Sequence, residues 1–86
     1  MREDQIIKYA LATEKSMRLM ESENKLAFIV DKRANKKQIK EVLEKEFNVK
    51  ILKVNTTITT NGKKKAYINF SEETPAIDVA TKLGLM

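Results

Sequence analysis

Two short stretches of alternating polarity flank Asn61-Gly62, and the parity between them restricts how this chain can close on itself. In the first, Leu52, Val54, Thr56 and Ile58 fall on one side, with Lys53, Asn55, Thr57 and Thr59 on the other. Ala66, Ile68 and Phe70 alternate in the second. A period of two marks a half-buried strand, and Asn-Gly between two such runs marks a hairpin. A two-residue Asn61-Gly62 turn would set Ile58 against Lys65 and Val54 against Asn69, mixing apolar and polar side chains on each face. A three-residue loop over residues 61–63 instead pairs Ile58 with Ala66, Thr56 with Ile68 and Val54 with Phe70, leaving Gly62 free for a left-handed conformation. The second register is the one expected.

Ahead of the hairpin, Leu26-Ala27-Phe28-Ile29-Val30 is apolar at both parities, as in a strand covered on both faces, and Asp31 ends it. Asn35 followed by Gln38 reads as a capping-box variant, and Ile39, Val42, Leu43 and Phe47 recur at helical spacing, so a helix is predicted over residues 36–47. Thr13 can cap a shorter helix reaching Glu21, with Met17 and Met20 on its inner side, while residues 5–11 lack a period and read as extended or loop. Thr74-Pro75 opens a last helix, with a capping hydroxyl and proline at its first position; Ile77, Ala80 and Leu83 mark its inner side, and Gly84 closes it. The order strand, helix, strand, strand is a split β-α-β unit with a right-handed crossover, whose last strand inserts between the two parallel ones. The expected fold class is α+β: one domain over residues 1–86, a small α/β sandwich with an antiparallel (mixed) sheet and flanking helices.

Several function classes are disfavoured by composition. The 86 residues contain no cysteine and no histidine, which removes disulfides, the usual zinc ligands, the thiol nucleophile and the imidazole base. Glu41 and Glu44 could pose as a paired acid and base, but Lys37, Lys40 and Lys45 stand at helical spacing to them, as on a solvated helix face. The P-loop spacing is absent around Gly62, and Arg2, Arg18 and Arg33 have no convincing catalytic companion. No enzymatic activity, cofactor or metal is expected. The N-terminus has no apolar targeting core and the longest apolar run is residues 26–30, so membrane insertion is not expected and a cytoplasmic location is.

The net charge of +5 matters less than its distribution. Residues 32–65 hold eleven Lys and Arg against three Glu, whereas the rest of the chain is slightly acidic. Such segregation suits a polyanion on one side of the molecule. Lys36 and Lys37 occupy the first turn of the central helix, where the dipole disfavours cations by a few tenths to about 1 kcal/mol each. Either they are tolerated because salt screens the dipole, or Arg33, Lys36 and Lys37 form a phosphate clamp, with Asn35 and Lys40 beside them. The polar strand side, Lys53, Asn55, Thr57 and Thr59, leads to the cationic tip Asn61-Gly62-Lys63-Lys64-Lys65, a set suited to phosphate and sugar contacts. Only Tyr67 stands on the polar parity of the return strand, so folded RNA read by shape and phosphate fits better than bases stacked on an aromatic platform.

Leu11-Ala12-Thr13-Glu14-Lys15-Ser16, Asn24-Lys25-Leu26-Ala27-Phe28-Ile29-Val30, Arg33-Ala34-Asn35-Lys36, Val54-Asn55-Thr56 and Asn61-Gly62-Lys63-Lys64-Lys65-Ala66-Tyr67-Ile68 occur in order at familiar spacing. Together they resemble universal large-subunit ribosomal protein twenty-three across nearly all of residues 5–85. The resemblance implies a primary binder of large-subunit ribosomal RNA beside the polypeptide exit tunnel, in contact with neighbouring large-subunit ribosomal proteins. It also implies a short strand within residues 5–11. The hairpin lacks the long basic extension typical of bacterial members, which places the chain nearer the archaeal and eukaryotic branch. Ala10 stands where members often have proline.

By position, Thr13, Lys15, Ser16, Arg33 to Lys37, and Asn55 to Lys65, Thr56 included, match the family's RNA-facing segments. Glu14 and Phe47 match positions associated with docking of the signal recognition particle or nascent-chain factors; Asn48 replaces the acid that often follows that phenylalanine. On the residues alone, Phe47 reads as the last core contact of its helix and Glu14 as a first-turn helix acid. The free protein is expected to be a monomer. The main rival is a free-standing RNA-binding regulatory module, which would show a recognition helix or stacking aromatics. A small phosphatase-like enzyme would need a clustered acid, base and anion-binding arginine.

Overall fold

The computed structural model describes residues 6–83. The elements run β1 (Ile7–Ala10), α1 (Glu14–Glu23), β2 (Lys25–Val30), α2 (Lys36–Phe47), β3 (Ile51–Ile58), β4 (Lys64–Phe70) and α3 (Ala76–Lys82). The sheet order is β1-β2-β4-β3 and every adjacent pair is antiparallel. β4 therefore lies between the parallel β2 and β3, as a split β-α-β unit requires. β1 extends the sheet beyond β2, in agreement with the strand implied by the family resemblance. A register shift between Ile7 and Tyr9 explains why this strand shows no period: Ile7 and Ala10 pack against the core, whereas Tyr9 is exposed.

All five apolar residues of β2 are buried, in two different ways. Leu26, Phe28 and Val30 join Ile39, Val42 and Leu43 of α2, Val79 and Ala80 of α3, and Ala66, Ile68 and Phe70 of β4 in one cluster. Ala27 and Ile29, on the alternate parity, are buried outside it. α2 spans the predicted residues, and its start is fixed reciprocally: Gln38 N–H donates to Asn35 Oδ1 at 2.8 Å, and Asn35 N–H to Gln38 Oε1 at 3.1 Å.

α1 has the same device. Ser16 N–H donates to Thr13 Oγ1 at 3.2 Å and Thr13 N–H to Ser16 Oγ at 3.0 Å. The helix runs past the expected Glu21 to Glu23 and stops at Asn24, whose φ of 57° is left-handed. The Asn24 side chain then ties the end of the adjacent β4 and the segment after it, with Nδ2 donating to the Phe70, Ser71 and Thr74 carbonyls at 3.1–3.2 Å and Oδ1 accepting the Ala76 N–H at 2.6 Å.

That last bond corrects the expectation for α3. Pro75 is the N-cap rather than the first helical residue, and the Thr74 hydroxyl accepts from Lys50 N–H at 3.2 Å instead of capping the helix. Asn24, distant in sequence, supplies the cap. The inner side of α3 is Ala76, Val79 and Ala80, with Leu83 packed against the core, whereas Ile77 is 46% exposed. The stop expected at Gly84 lies outside the described residues.

The hairpin loop has the predicted length but sits one residue earlier, over residues 60–62. Gly62 N–H donates to Thr59 O at 2.9 Å and Thr59 N–H to Lys63 O at 2.8 Å, with Gly62 at φ 77°. A three-residue loop of this kind puts its left-handed residue third, so Gly62 sets the position. The expected loop had placed it in the middle. Val54 consequently faces Ile68, Thr56 faces Ala66 and Ile58 faces Lys64, two residues along β4 from the predicted partners. A shift of two preserves parity, so Val54, Ala66, Ile68 and Phe70 remain in the core.

The expectation fails at both ends of β3, where Ile58 is 60% and Leu52 61% exposed. The register shifts between Ile51 and Lys53, and Ile51 takes the buried place expected of Leu52. The Ile51 N–H donates to Glu44 Oε2 at 3.2 Å, giving that acid of α2 a structural partner.

Candidate nucleic-acid interface

Val30 and Lys64 pair at one end of the sheet. From there the chain leaves β2 for α2, while the hairpin loop projects beside it, so two basic segments distant in sequence meet. The Lys64 ammonium donates to the Ala34 carbonyl, immediately before α2. Lys32 lies against the turn so closely that a Cβ on Gly62 would stand 3.4 Å from its Nζ. Lys36 and Lys37 follow as exposed residues in the first turn of α2, which contains no acid, and Lys40 is exposed one turn on.

Arg33 belongs to this end but is partly engaged. Its backbone N–H donates to Asp31 Oδ1 at 2.8 Å and its Nε at 3.3 Å. The Arg33 N–H, and after it the guanidinium, hold the Asp31 carboxyl below the usual carboxylate range. The Arg33 side chain is still 76% exposed, so its outer nitrogens face solvent. Asn35 is exposed, with its amide oxygen committed to the helix cap.

The sheet surface opposite the core cluster is the second part of the candidate interface. Across the strands, Ala27, Tyr67 and Asn55 form one row and Tyr9, Ile29, Lys65 and Thr57 the next. Lys53 shares this parity opposite Asn69. The Lys65 ammonium stands 5.6 Å from the Tyr67 ring centroid, within cation–π range. Thr13, Lys15 and Ser16 border the same surface, where α1 begins beside Ala27, Lys65 and Tyr67.

Not every predicted residue presents a free group there. Ser16 is buried and its hydroxyl donates back to the Leu11 and Thr13 carbonyls, both at 2.9 Å, so it holds the start of α1 in shape. Thr56 stands on the helix side opposite Ala66, away from Asn55 and Thr57. The Thr59 hydroxyl accepts the Lys63 N–H at 3.1 Å, while Asn61 and Lys63 are exposed at the tip.

Sequence reasoning missed Lys8, Tyr9 and Lys32, which line a cleft with Ile29, Val30, Gly62, Lys63 and Lys64. The irregularity in β1 concealed Tyr9 by breaking the alternation that would have put it on the polar surface. Lys32 was visible only as one member of the basic run.

The two residues matched to factor docking lie on different hollows. Glu14 is largely in solvent, paired with Arg18 at 2.9 Å beside Thr13 and Lys15. Phe47 is half-buried; it packs against the core, as the residues alone suggested, and also lines a groove with β1, Glu46 and Leu83. Among the described residues no acid cluster could hold a metal ion, and no helix is long and apolar enough to cross a membrane.

Residues 5–81 match the family model described as Ribosomal protein L23. This chain belongs to the ribosomal protein L23 family. One relative, named large ribosomal subunit protein uL23, from the archaeon Pyrobaculum aerophilum, is 51% identical over 81 residues, covering 94% of this chain and all of that protein. A protein of the same name from the eukaryote Trypanosoma brucei brucei is also 51% identical over 81 residues, but the chain spans only 49% of its length. The ribosomal protein L23 match thus includes β1 through nearly all of α3, and with them both halves of the basic surface.

Proposed function

We propose that this chain is a structural component of the large ribosomal subunit, located in the cytoplasmic ribosome, that binds large-subunit ribosomal RNA near the polypeptide exit tunnel. Its family membership and its two relatives named as large-subunit proteins support the ribosomal role. The observation that carries RNA binding is the junction of the two basic segments, where Lys64 bonds the Ala34 carbonyl and Lys32 lies against Gly62. That junction gathers lysines at the N-terminal end of α2, where backbone N–H groups already favour phosphate. Asn55, Thr57, Lys65 and Tyr67 then offer hydrogen bonds and cations along the sheet. Such contacts position an RNA without reading its bases.

Neighbouring large-subunit proteins are the expected protein partners. Glu14 and Phe47 form the proposed contribution to factor docking, the signal recognition particle or nascent-chain factors being the occupants. The role is structural and involves no reaction.

The test is co-sedimentation of the tagged protein with large subunits in moderate salt, followed by salt titration of binding to a large-subunit RNA transcript. Retention on the subunit and a steep fall in affinity with salt are expected, because each neutralised phosphate releases counterions. A protein that stays at the top of the gradient while binding unrelated RNA would instead be a free-standing regulatory module. Salt-independent binding would refute the phosphate mechanism.

A further inference from the structure

The cleft between β1 and the hairpin loop differs from the rest of the basic surface because it combines cations with an exposed aromatic face. Lys8, Lys32, Lys63 and Lys64 surround it, Tyr9 forms one wall, and among the described residues no carboxylate lines it. Two of the four ammonium groups have hydrogen-bond partners that carry no charge: Lys63 donates to the Tyr9 hydroxyl at 3.2 Å and Lys64 to the Ala34 carbonyl. Lys32 has neither a hydrogen bond nor an ion pair among the described residues, and it is held against Gly62, whose left-handed turn leaves room for the ammonium. Lys8 is within electrostatic reach of the Asp31 carboxylate, and the other like charges around the cleft repel each other and favour an anion among them.

The Tyr9 ring is the second observation. It is 46% exposed, a large aromatic surface left to solvent at the edge of the sheet. The Lys63 ammonium lies 3.2 Å from its hydroxyl and 5.8 Å from its ring centroid. The difference between these distances is nearly the whole length from ring centre to phenolic oxygen, so the ammonium sits beyond the oxygen and close to the ring plane. The contact is a hydrogen bond to the hydroxyl, and it does not cover the face of the ring. It holds the hydroxyl end of the ring and leaves the face uncovered by the ammonium.

We propose that this cleft holds one unpaired nucleotide of the bound RNA, its base stacked on Tyr9 and its phosphate beside Lys32 and Lys63. The inference rests on the ribosomal-RNA-binding reading and adds a site that reads a flipped-out nucleotide instead of helix backbone alone. Bases that leave a helix are characteristically received by an aromatic face with a cation nearby. Ile29, apolar and on the same strand parity as Tyr9, lines the cleft beside the ring and suits the edge of a base.

The chain has two tyrosines and no tryptophan, which provides a direct readout. In a Tyr67→Phe background the intrinsic fluorescence comes from Tyr9 alone, and titration with a large-subunit RNA transcript should quench it. In parallel, Tyr9→Leu should weaken binding by about 10- to 100-fold with the salt slope unchanged, whereas Tyr9→Phe, which keeps the ring, should stay within a few fold of the parent. Lys32→Ala should weaken binding and also flatten the slope, as loss of a phosphate contact requires.

If Tyr9→Leu binds as tightly as the parent, or if Tyr9 fluorescence is unmoved while the RNA binds with its full salt dependence, the cleft takes no base and the proposal is overturned. RNA binding through phosphates would survive that result. Failure of the parent protein to bind the transcript at all would instead overturn the reading on which the site rests, and the site with it. Should Tyr9→Leu fail to fold, the fluorescence titration and Tyr9→Phe still decide the matter.

Discussion

Lys36 and Lys37 occupy the first two positions of α2, but replacing them by acids should have unequal effects. Lys36→Glu removes a cation from the positive end of the helix and adds an anion there, each change worth a few tenths to about 1 kcal/mol at an exposed site. It also converts a like-charge pair with Lys40, four residues on, into a favourable Glu–Lys pair worth about 0.2–0.5 kcal/mol. The free protein should gain about 1 kcal/mol, or roughly 4–8 °C in melting temperature for a domain of this size.

Lys37→Glu gains the same helix-end benefit but faces Glu41 four residues on, exchanging an attraction for a repulsion. The pair term offsets most of the gain, leaving a net change near zero. Denaturant and thermal melts of the RNA-free variants measure these differences. Against a large-subunit RNA transcript, Lys36→Glu should bind more weakly, with the slope of log affinity against log salt reduced by about one. Folding and binding must therefore move in opposite directions. A Lys36→Glu variant that loses stability would mean the lysine serves contacts within the protein, and one that keeps full affinity and slope would remove this helix end from the interface.

Asn24→Ala should destabilise the fold by about 2–4 kcal/mol in denaturant melts, because it strips the Ala76 N–H and three carbonyls of a partner and replaces asparagine, which tolerates the left-handed conformation, by alanine, which tolerates it less well; Asn24→Gly should recover only the backbone part. Asp31, whose carboxyl is held below its ordinary range, contributes stability that is present above the unfolded value and lost as pH falls through the lowered folded value, so Asp31→Asn should flatten the acid side of a stability profile below about pH 4. Leu52→Thr should change stability by no more than about 0.5 kcal/mol in the same melts, since the side chain is 61% exposed.

The fold was legible where one local pattern dominated. Ile39, Val42 and Leu43 define a helix whose bounds coincide with those observed, and the both-parity run in β2 is buried on both faces. Misreadings arose where tertiary geometry overrode the pattern. The shift at Ile51 exchanges it with Leu52, and no alternation can announce a residue inserted into the ladder. Turn chemistry moved the hairpin, because the left-handed requirement belongs to the third loop residue.

For the interface, the basic segments could be read as separate clusters, but their meeting at Lys64 and Ala34 depends on β4 returning between β2 and β3. Ser16 illustrates the converse. Its position in a familiar motif suggested RNA, whereas its hydroxyl is spent on the start of α1.

Asn24 also bears on the order in which the molecule can assemble. α3 is seven residues long, too short to persist alone, and its first N–H is capped by a side chain anchored where α1 passes into β2. The same side chain holds the last carbonyl of β4 and the one after it, so its bonds can form only after β4 has docked beside β2. The C-terminal helix is thus conditional on the central strand pairing. Its amide hydrogens should exchange with solvent together with those of β4 when the sheet opens, instead of fraying earlier as a separate unit.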